Sequence, residues 1–165
     1  FPTRRSSDLP VETLDLSRLV TGEALPFESV AFEHGLTLRT EVEEGITVTG
    51  NASQLRQLTS ILLDNAASHA EGGEIMLTLK GCCRHAVLSV ANAGAEIPPE
   101  VQAHLFERFY RADEARGSEG NHYGLGLAIA KAIADAHKGS IGVECRKGTV
   151  VFTVQLPARK GTASR

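Results

Sequence analysis

The chain has 165 residues, of which 22% are charged, with a net charge of −3 and three cysteines. That length suits one domain with a real core and falls short of a comfortable two. The slight acidity, without a dense basic cluster, argues against nucleic acid as a partner, and no apolar run approaches the length of a membrane span.

Residues 1–9, FPTRRSSDL, resemble the in-frame translation of a sequencing adapter and are set apart as a non-native leader. A domain is expected over 10–157, followed by a frayed, disordered tail over 158–165. Within 14–32, apolar residues at Leu16, Leu19, Val20, Ala24, Phe27 and Ala31 make a loosely helical pattern that Pro26 interrupts. The stretch LDLSRLV is expected to enter as a strand or linker and to turn helical later. Gly35 can end that helix, and 36–42 then alternates as a strand through Leu36, Leu38, Thr40 and Val42. A second short strand covers 46–49.

Asn51 followed by Gln54 is a capping-box start, and Leu55, Leu58, Leu62 and Ala66 form the buried stripe of the next helix. Asn65 follows Leu62 by three positions, so it points inward, and His69, four further on, shares that face. An inward amide must find partners, because leaving one unpaired costs roughly 1–3 kcal/mol. Ile75, Leu77 and Leu79 alternate against Glu74, Met76, Thr78 and Lys80 as a half-buried strand. Residues 81–84 turn it and 86–91 return, which predicts a hairpin. The cysteines Cys82, Cys83 and Cys145 lack zinc spacing, and adjacent cysteines rarely pair with each other. Reduced thiols in a cytosolic compartment are expected.

After that strand come a loop rich in glycine and proline (92–99), a short helix with aromatics (100–110) and a polar segment (111–121). Gly124-Leu125-Gly126-Leu127 then opens a helix that runs to His137, buries Ile129, Ala130 and Ile133, and stops at Gly139. A glycine turn at a helix N-terminus can hold phosphate through backbone N–H groups and the helix dipole. The polar segment in front of it has few apolar residues to hold it down and can close over a ligand. Residues 141–145 and 149–156 form a closing hairpin around Lys147-Gly148. Hairpins with helices between them predict an α+β two-layer sandwich, a mixed but mostly antiparallel sheet of about five strands covered on one face by about three helices.

NAGAEIPPE, LFERFYRAD and YGLGLAIAKAIADAHKG resemble the G1, F and G2 boxes of the ATP-binding domain of bacterial sensor histidine kinases, the GHKL or Bergerat fold. ILLDNAASHA resembles their N box. The four boxes stand in the family's order, and the resemblance runs over 14–156. It implies the same sandwich, with a lid over ATP. Asn65 would hold Mg2+, since a neutral amide oxygen suits a hard cation whose charge is balanced by ATP itself. His69 would set its ring beside the adenine. Asn92 stands where the family most often has Asp accepting from the adenine amino group. A neutral bond is worth about 0.5–1.5 kcal/mol against about 1.5–3 for a charged one, so weaker nucleotide binding is expected rather than its loss. Gly94 lets the backbone approach a flat base, and Ile97 is the apolar wall for the purine. Phe106 belongs to the nucleotide set by position, although with Phe109 its ring is expected to pack the lid on the core. Arg108 and Arg111 can reach phosphate oxygens. Gly124 and Gly126 would cradle phosphate, and Tyr123, Leu125 and Leu127 complete the nucleotide-binding set.

Each assignment has a plainer alternative. Asn65 can bridge core backbone groups, His69 can be a helix-end histidine near the C-terminal dipole, and Asn92 can be a turn residue. The arginines can be solvated charges. A dinucleotide-binding reading of the glycines fails, because Ile129 stands where G-x-G-x-x-G needs a small residue. The chain also departs from the family. Glu96 and His122 replace glycines, and Ile61 replaces the polar residue four positions before Asn65. Isoleucine can neither activate nor position water, so ATP hydrolysis is not the expected main activity.

The implied function is to present Mg-ATP for γ-phosphoryl transfer to a histidine on a separate dimerisation and phosphoacceptor domain, with a response regulator downstream. None of the six histidines has the family's phosphoacceptor setting, so no catalytic residue is expected in this chain. Neither nucleic acid nor direct membrane contact is expected, and the domain would be the cytoplasmic part of a membrane-anchored parent. Two alternatives stay open: a degenerate nucleotide-sensing or docking module, suggested by Ile61, Glu96 and His122, and an anti-sigma-factor serine kinase, against which ERFYR speaks.

Overall fold

Alternation along the strands decides the two layers. Ile75, Leu77 and Leu79, then Ala86, Leu88 and Val90, then Val150, Phe152, Val154 and Leu156 are all buried. Thr78, Ser89 and Thr153, which sit side by side on the opposite face, are half-exposed. The computed structural model describes residues 10–108 and 125–161. The adapter-like leader, the expected lid over 111–123 and the last four residues lie outside the described residues.

The elements in chain order are β1 (Glu12–Asp15), α1 (Leu16–Glu33), β2 (Thr37–Val42), β3 (Ile46–Gly50), α2 (Ala52–His69), β4 (Glu74–Cys82) and β5 (His85–Ala93). After them come α3 (Pro99–Gln102), α4 (Gly126–Ala136), β6 (Ser140–Arg146), β7 (Thr149–Pro157) and β8 (Arg159–Lys160). Five strands form the main sheet in the order β2-β4-β5-β7-β6, and only the β2–β4 pair is parallel. Its inward rows and the buried faces of α1, α2 and α4 make one core, the expected α+β sandwich. A second sheet, β1-β3-β8, sits beside it.

Besides the helix expected over 100–110, of which only the turn α3 (Pro99–Gln102) forms before turns at 103–106, three expectations need correction. LDLSRLV does enter as a strand, but only its first two residues belong to β1: Asp15 ends the strand, its side chain accepts from Arg18 N at 3.0 Å, and it caps a helix that starts at Leu16 and runs on through Pro26. A proline inside a helix costs about 3 kcal/mol. Burying Leu16, Val20 and Phe27, at roughly 1.5–3 kcal/mol each, outweighs that. The clashing carbonyl belongs to exposed Gly22 and can turn to water. Second, Ile129 is 36% exposed, and the inward place on α4 goes to Leu127 at 1%. Third, the expected frayed tail contains a strand. Ile46 pairs with Lys160 and Thr47 with Arg159, and Lys160 makes an ion pair with Glu43. An edge strand with an unpaired row of backbone groups recruits whatever chain passes it, and composition carries no sign of that.

The close of α4 also differs in detail. Lys138 adopts the left-handed conformation (φ 60), while Gly139 is needed for space. A Cβ there would stand 2.1 Å from Gln155 O. Buried Ser17 joins α1 to β3, its hydroxyl donating to Glu43 O at 2.6 Å and accepting from Ile46 N at 3.2 Å. The two hairpin turns are built differently. Lys147 and Gly148 both have positive φ (46 and 79), as a two-residue turn prefers. In the β4–β5 turn Cys83 takes φ 58, at the place where glycine is usual, a strain of about 1–3 kcal/mol.

Candidate functional site

α2 delivers Asn65 and His69 to the end of the sheet where β5 runs out at Asn92 and Ala93. Glu71 N donates to Ala93 O at 2.9 Å, so the exit of the helix is tied to the exit of the strand. The chain beyond β5 is then pinned at three points. Gly94 N donates to Gly148 O at 2.9 Å in the β6–β7 turn. Ile97 N donates to Cys145 Sγ at 3.4 Å, and Gln102 Nε2 donates to Ile97 O at 2.6 Å. Pro98 and Pro99 open α3 where a missing N–H costs nothing.

These ties leave a cavity of about 430 Å³ between α2, the β5 and β7 strands and α3. That is within the usual range for a small-molecule site. Its lining combines apolar Ile97, Val101, Leu105, Val150 and Phe152 with polar Asn65, His69, Glu71, Asn92 and Glu96. Asn65 is 5% exposed and Asn92 3%. Asn92 Nδ2 donates to Ala93 O at 3.0 Å, which uses one of its two N–H groups, orients the amide and leaves Oδ1 to accept from a ligand. Gly94 keeps the polar floor open: a Cβ there would stand 3.3 Å from Asn92 Nδ2 and 3.4 Å from His69 O. His69 Nε2 is shielded from solvent. An apolar lining with a buried amide oxygen beside it suits an aromatic ring bearing an exocyclic N–H.

The structure thus brings Asn65, His69, Asn92, Gly94 and Ile97 together. Phe106 stands behind the wall, its ring edge-to-face with Phe152 at a centroid distance of 6.2 Å, as a packing residue does. Arg108 is exposed. Leu125, Gly126 and Leu127 do not line the cavity. Leu127 is a core residue that can offer only backbone, and Leu125 is 46% exposed at the start of α4. Tyr123 and Gly124, with Phe109, Arg111 and His122, lie outside the described residues. Ile61 sits against α4, its Cγ2 3.6 Å from where a Cβ on Gly126 would be.

Sequence reading missed the walls. Val150 and Phe152 reach the cavity because β7 pairs with β5, Asn92 opposite Val150 and Val90 opposite Phe152. Only strand pairing reveals that. Glu71, just past the helix, carried no signal at all.

Residues 50–160 match the family described as histidine kinase-, DNA gyrase B- and HSP90-like ATPase. The chain is 38% identical over 154 residues to the sensor protein DltS of Streptococcus agalactiae serotype III (strain NEM316), covering 93% of this chain and 39% of that one. It thus spans well under half the length of the sensor kinases it matches. The structure of the mycobacterial sensor histidine kinase MprB superposes with a TM-score of 0.79 at 27% identity, covering 91% of this chain and all of that one. Full-length ShkA in complex with AMPPNP gives a TM-score of 0.81 at 26% identity, covering 96% of this chain and 33% of that one. No helix of the described residues is long and apolar enough to cross a membrane. The chain belongs to the histidine kinase-, DNA gyrase B- and HSP90-like ATPase family, with sensor histidine kinases as its relatives.

Proposed function

We propose that this domain holds Mg-ATP and presents its γ-phosphoryl to a histidine of a separate dimerisation and phosphoacceptor domain in the parent protein. The observation that carries the reading is the cavity itself. Asn65 from α2 and Asn92 from β5 line the same cavity, with Gly94 between β5 and Ile97 also on its lining. In this reading Asn92 Oδ1 accepts from the adenine amino group while Ile97, Val150 and Phe152 sandwich the ring. Asn65 offers the Mg2+ an amide oxygen, which fits a cation that usually completes its shell with phosphate oxygens and water. When bound, the ion would neutralise charge developing on the transferred phosphoryl group. The N-terminal N–H groups of α4, at Gly126 and Leu127, face no side-chain acceptor from Leu125, which suits them to phosphate.

Phosphoryl transfer needs little covalent help from the protein; positioning and charge neutralisation do most of it. Ile61 supports transfer over hydrolysis, because its apolar side chain beside α4 cannot activate water. A response regulator downstream and a cytoplasmic location belong to the same proposal.

The test has two arms. A fluorescent ATP analogue should bind saturably, be displaced by ATP, and bind more weakly to Asn65→Ala. Incubation with labelled ATP and a separately expressed phosphoacceptor domain of the parent should then yield an acid-labile, base-stable phosphohistidine on that domain. Its rate should depend on the concentration of both pieces, since no linker supplies a high local concentration. Saturable binding without transfer would favour a nucleotide-sensing module, for which Ile61 and Glu96 speak. Absence of binding at millimolar ATP would overturn both readings.

A further inference from the structure

The tip of the β4–β5 hairpin lies at the opposite end of β5 from Asn92 and carries two adjacent thiols. Cys82 and Cys83 are exposed and free, with their sulfurs 4.0 Å apart. Neighbouring side chains of an extended strand point to opposite faces. The positive φ of Cys83 breaks that alternation, and the sulfurs come within reach of each other. The tip is anchored from behind. Gly81 N donates to Glu43 Oε2 at 3.1 Å, and Ala158 N donates to Arg84 O at 2.8 Å.

We propose that Cys82 and Cys83 form a two-sulfur binding site for a thiophilic centre of the trivalent arsenical class. The site is independent of the nucleotide cavity. Three arguments select this ligand. The first is span. A disulfide needs its sulfurs at about 2.05 Å and usually joins Cα atoms more than about 4.4 Å apart, whereas adjacent Cα atoms are about 3.8 Å apart. Trivalent arsenic is pyramidal, so with bonds near the zinc–sulfur length of about 2.3 Å and an S–As–S angle of about 100° it bridges sulfurs about 3.5 Å apart, and a small rotation of the two exposed side chains closes that distance from 4.0 Å.

The second is ligand number. A structural zinc ion takes four protein ligands. The register sets His85 opposite Cys82, yet among the described residues no group of three His, Cys, Asp or Glu side chains is arranged to hold a metal ion. An arsenical with one organic substituent needs two sulfurs and nothing more. The third is protonation. The hydrogen bond with Cys83, and then the charge on that neighbour, raise the Cys82 thiol above its ordinary value, so it meets a ligand at neutral pH with its proton on. A divalent ion must expel such protons. An organoarsenic oxide consumes them: two As–S bonds form, the As=O bond breaks, and the oxygen leaves with both thiol protons as water. Arsenic stays trivalent and no electrons are exchanged.

Phenylarsine oxide and the full chain provide the test. One equivalent should remove two of the three thiols from titration with Ellman's reagent and add one phenylarsenic unit in place of two hydrogens by intact mass. A dithiol such as ethane-1,2-dithiol should reverse the adduct, and a monothiol at equal sulfur concentration should not. Cys82→Ser and Cys83→Ser should each weaken binding by at least about 100-fold, the lower end of what a second tethered contact contributes, and Cys145→Ser should not. Cys83→Gly relieves the positive φ, so it should fold at least as well as the parent and still lose the adduct. Loss of a single thiol, monothiol reversal, an unaffected Cys83→Gly variant, or tighter binding of Zn2+ alone than of the arsenical would each overturn the assignment.

Discussion

α2 and α4 pack against each other over the same sheet, yet their N-termini are finished in opposite ways. At α2 the protein satisfies its own backbone. Asn51 Oδ1 accepts from Gln54 N at 2.9 Å, Asn51 Nδ2 donates to Pro10 O at 2.8 Å, and Asn51 N donates to His137 Nε2 at 3.1 Å. His137 caps the far end of α4, with Nδ1 donating to Ile133 O at 2.7 Å. Those two bonds select the neutral tautomer with its proton on Nδ1. At α4 the capping position is Leu125, whose aliphatic side chain accepts nothing. Both helices begin with N–H groups that need partners. One set is spent on stability, while among the described residues no side chain caps the other.

The comparison can be broken most forcefully at the buried end of α4. Gly139→Ala would drive a Cβ to 2.1 Å from Gln155 O and 2.9 Å from Leu156 Cδ2. A loss of about 3 kcal/mol is expected from such overpacking against backbone, read from the denaturant midpoint. An unchanged midpoint would mean that this joint yields more easily than its distances imply. His137→Ala comes next. It strands the Asn51 N–H, at a cost of about 2 kcal/mol, and should loosen the start of α2 in amide exchange while nucleotide affinity changes less than stability. Asn51→Ala removes only the side-chain part of the same clasp, so a loss of about 1 kcal/mol is expected.

Two milder substitutions sharpen the contrast. A Cβ on Gly126 would find only an ordinary contact with Ile61 at 3.6 Å, so Gly126→Ala should raise stability by about 0.4–1 kcal/mol. If the open N-terminus of α4 serves phosphate, the same change should weaken ATP binding by about tenfold, or 1.4 kcal/mol. Stability gained at no expense in affinity would remove the functional half of the comparison. The smallest effect belongs to Asn92→Asp. It gives adenine a charged acceptor, worth up to about 1 kcal/mol, but it forfeits the donor that holds Ala93 O at 3.0 Å. The free protein should lose stability, and the ratio of ATP to GTP affinity should rise. Equal responses from the two nucleotides would show that residue 92 does not read the base.

Much of the scaffold was legible because its signals are local. The Asn51–Gln54 cap, the alternation along β4 and the Lys147-Gly148 turn each involve residues within a few positions of one another. Five of the candidate nucleotide residues also converge: Asn65 and His69 share a helix face, and Asn92, Gly94 and Ile97 follow one strand end. Ile129 was misplaced because it stands two positions, about 200° around the helix, from Leu127, and so falls off the inward stripe of Leu127, Ala130 and Ala134. The packing of α4 gave that place to Leu127.

The sequence by itself determined most of the elements, the inward faces of most of them and the half of the cavity carried on α2 and the β5 exit. Periodicity, capping and turn chemistry act over a few residues, so they are written in the local order of side chains. Only the tertiary structure decided that α1 runs through Pro26, that Val150 and Phe152 wall the site, that Gly139 is there for space and that His137 clasps Asn51. Each of these depends on what a residue meets from a distant part of the chain. Burial energy and steric overlap there outweigh local propensity, and neither can be computed until the layers are stacked.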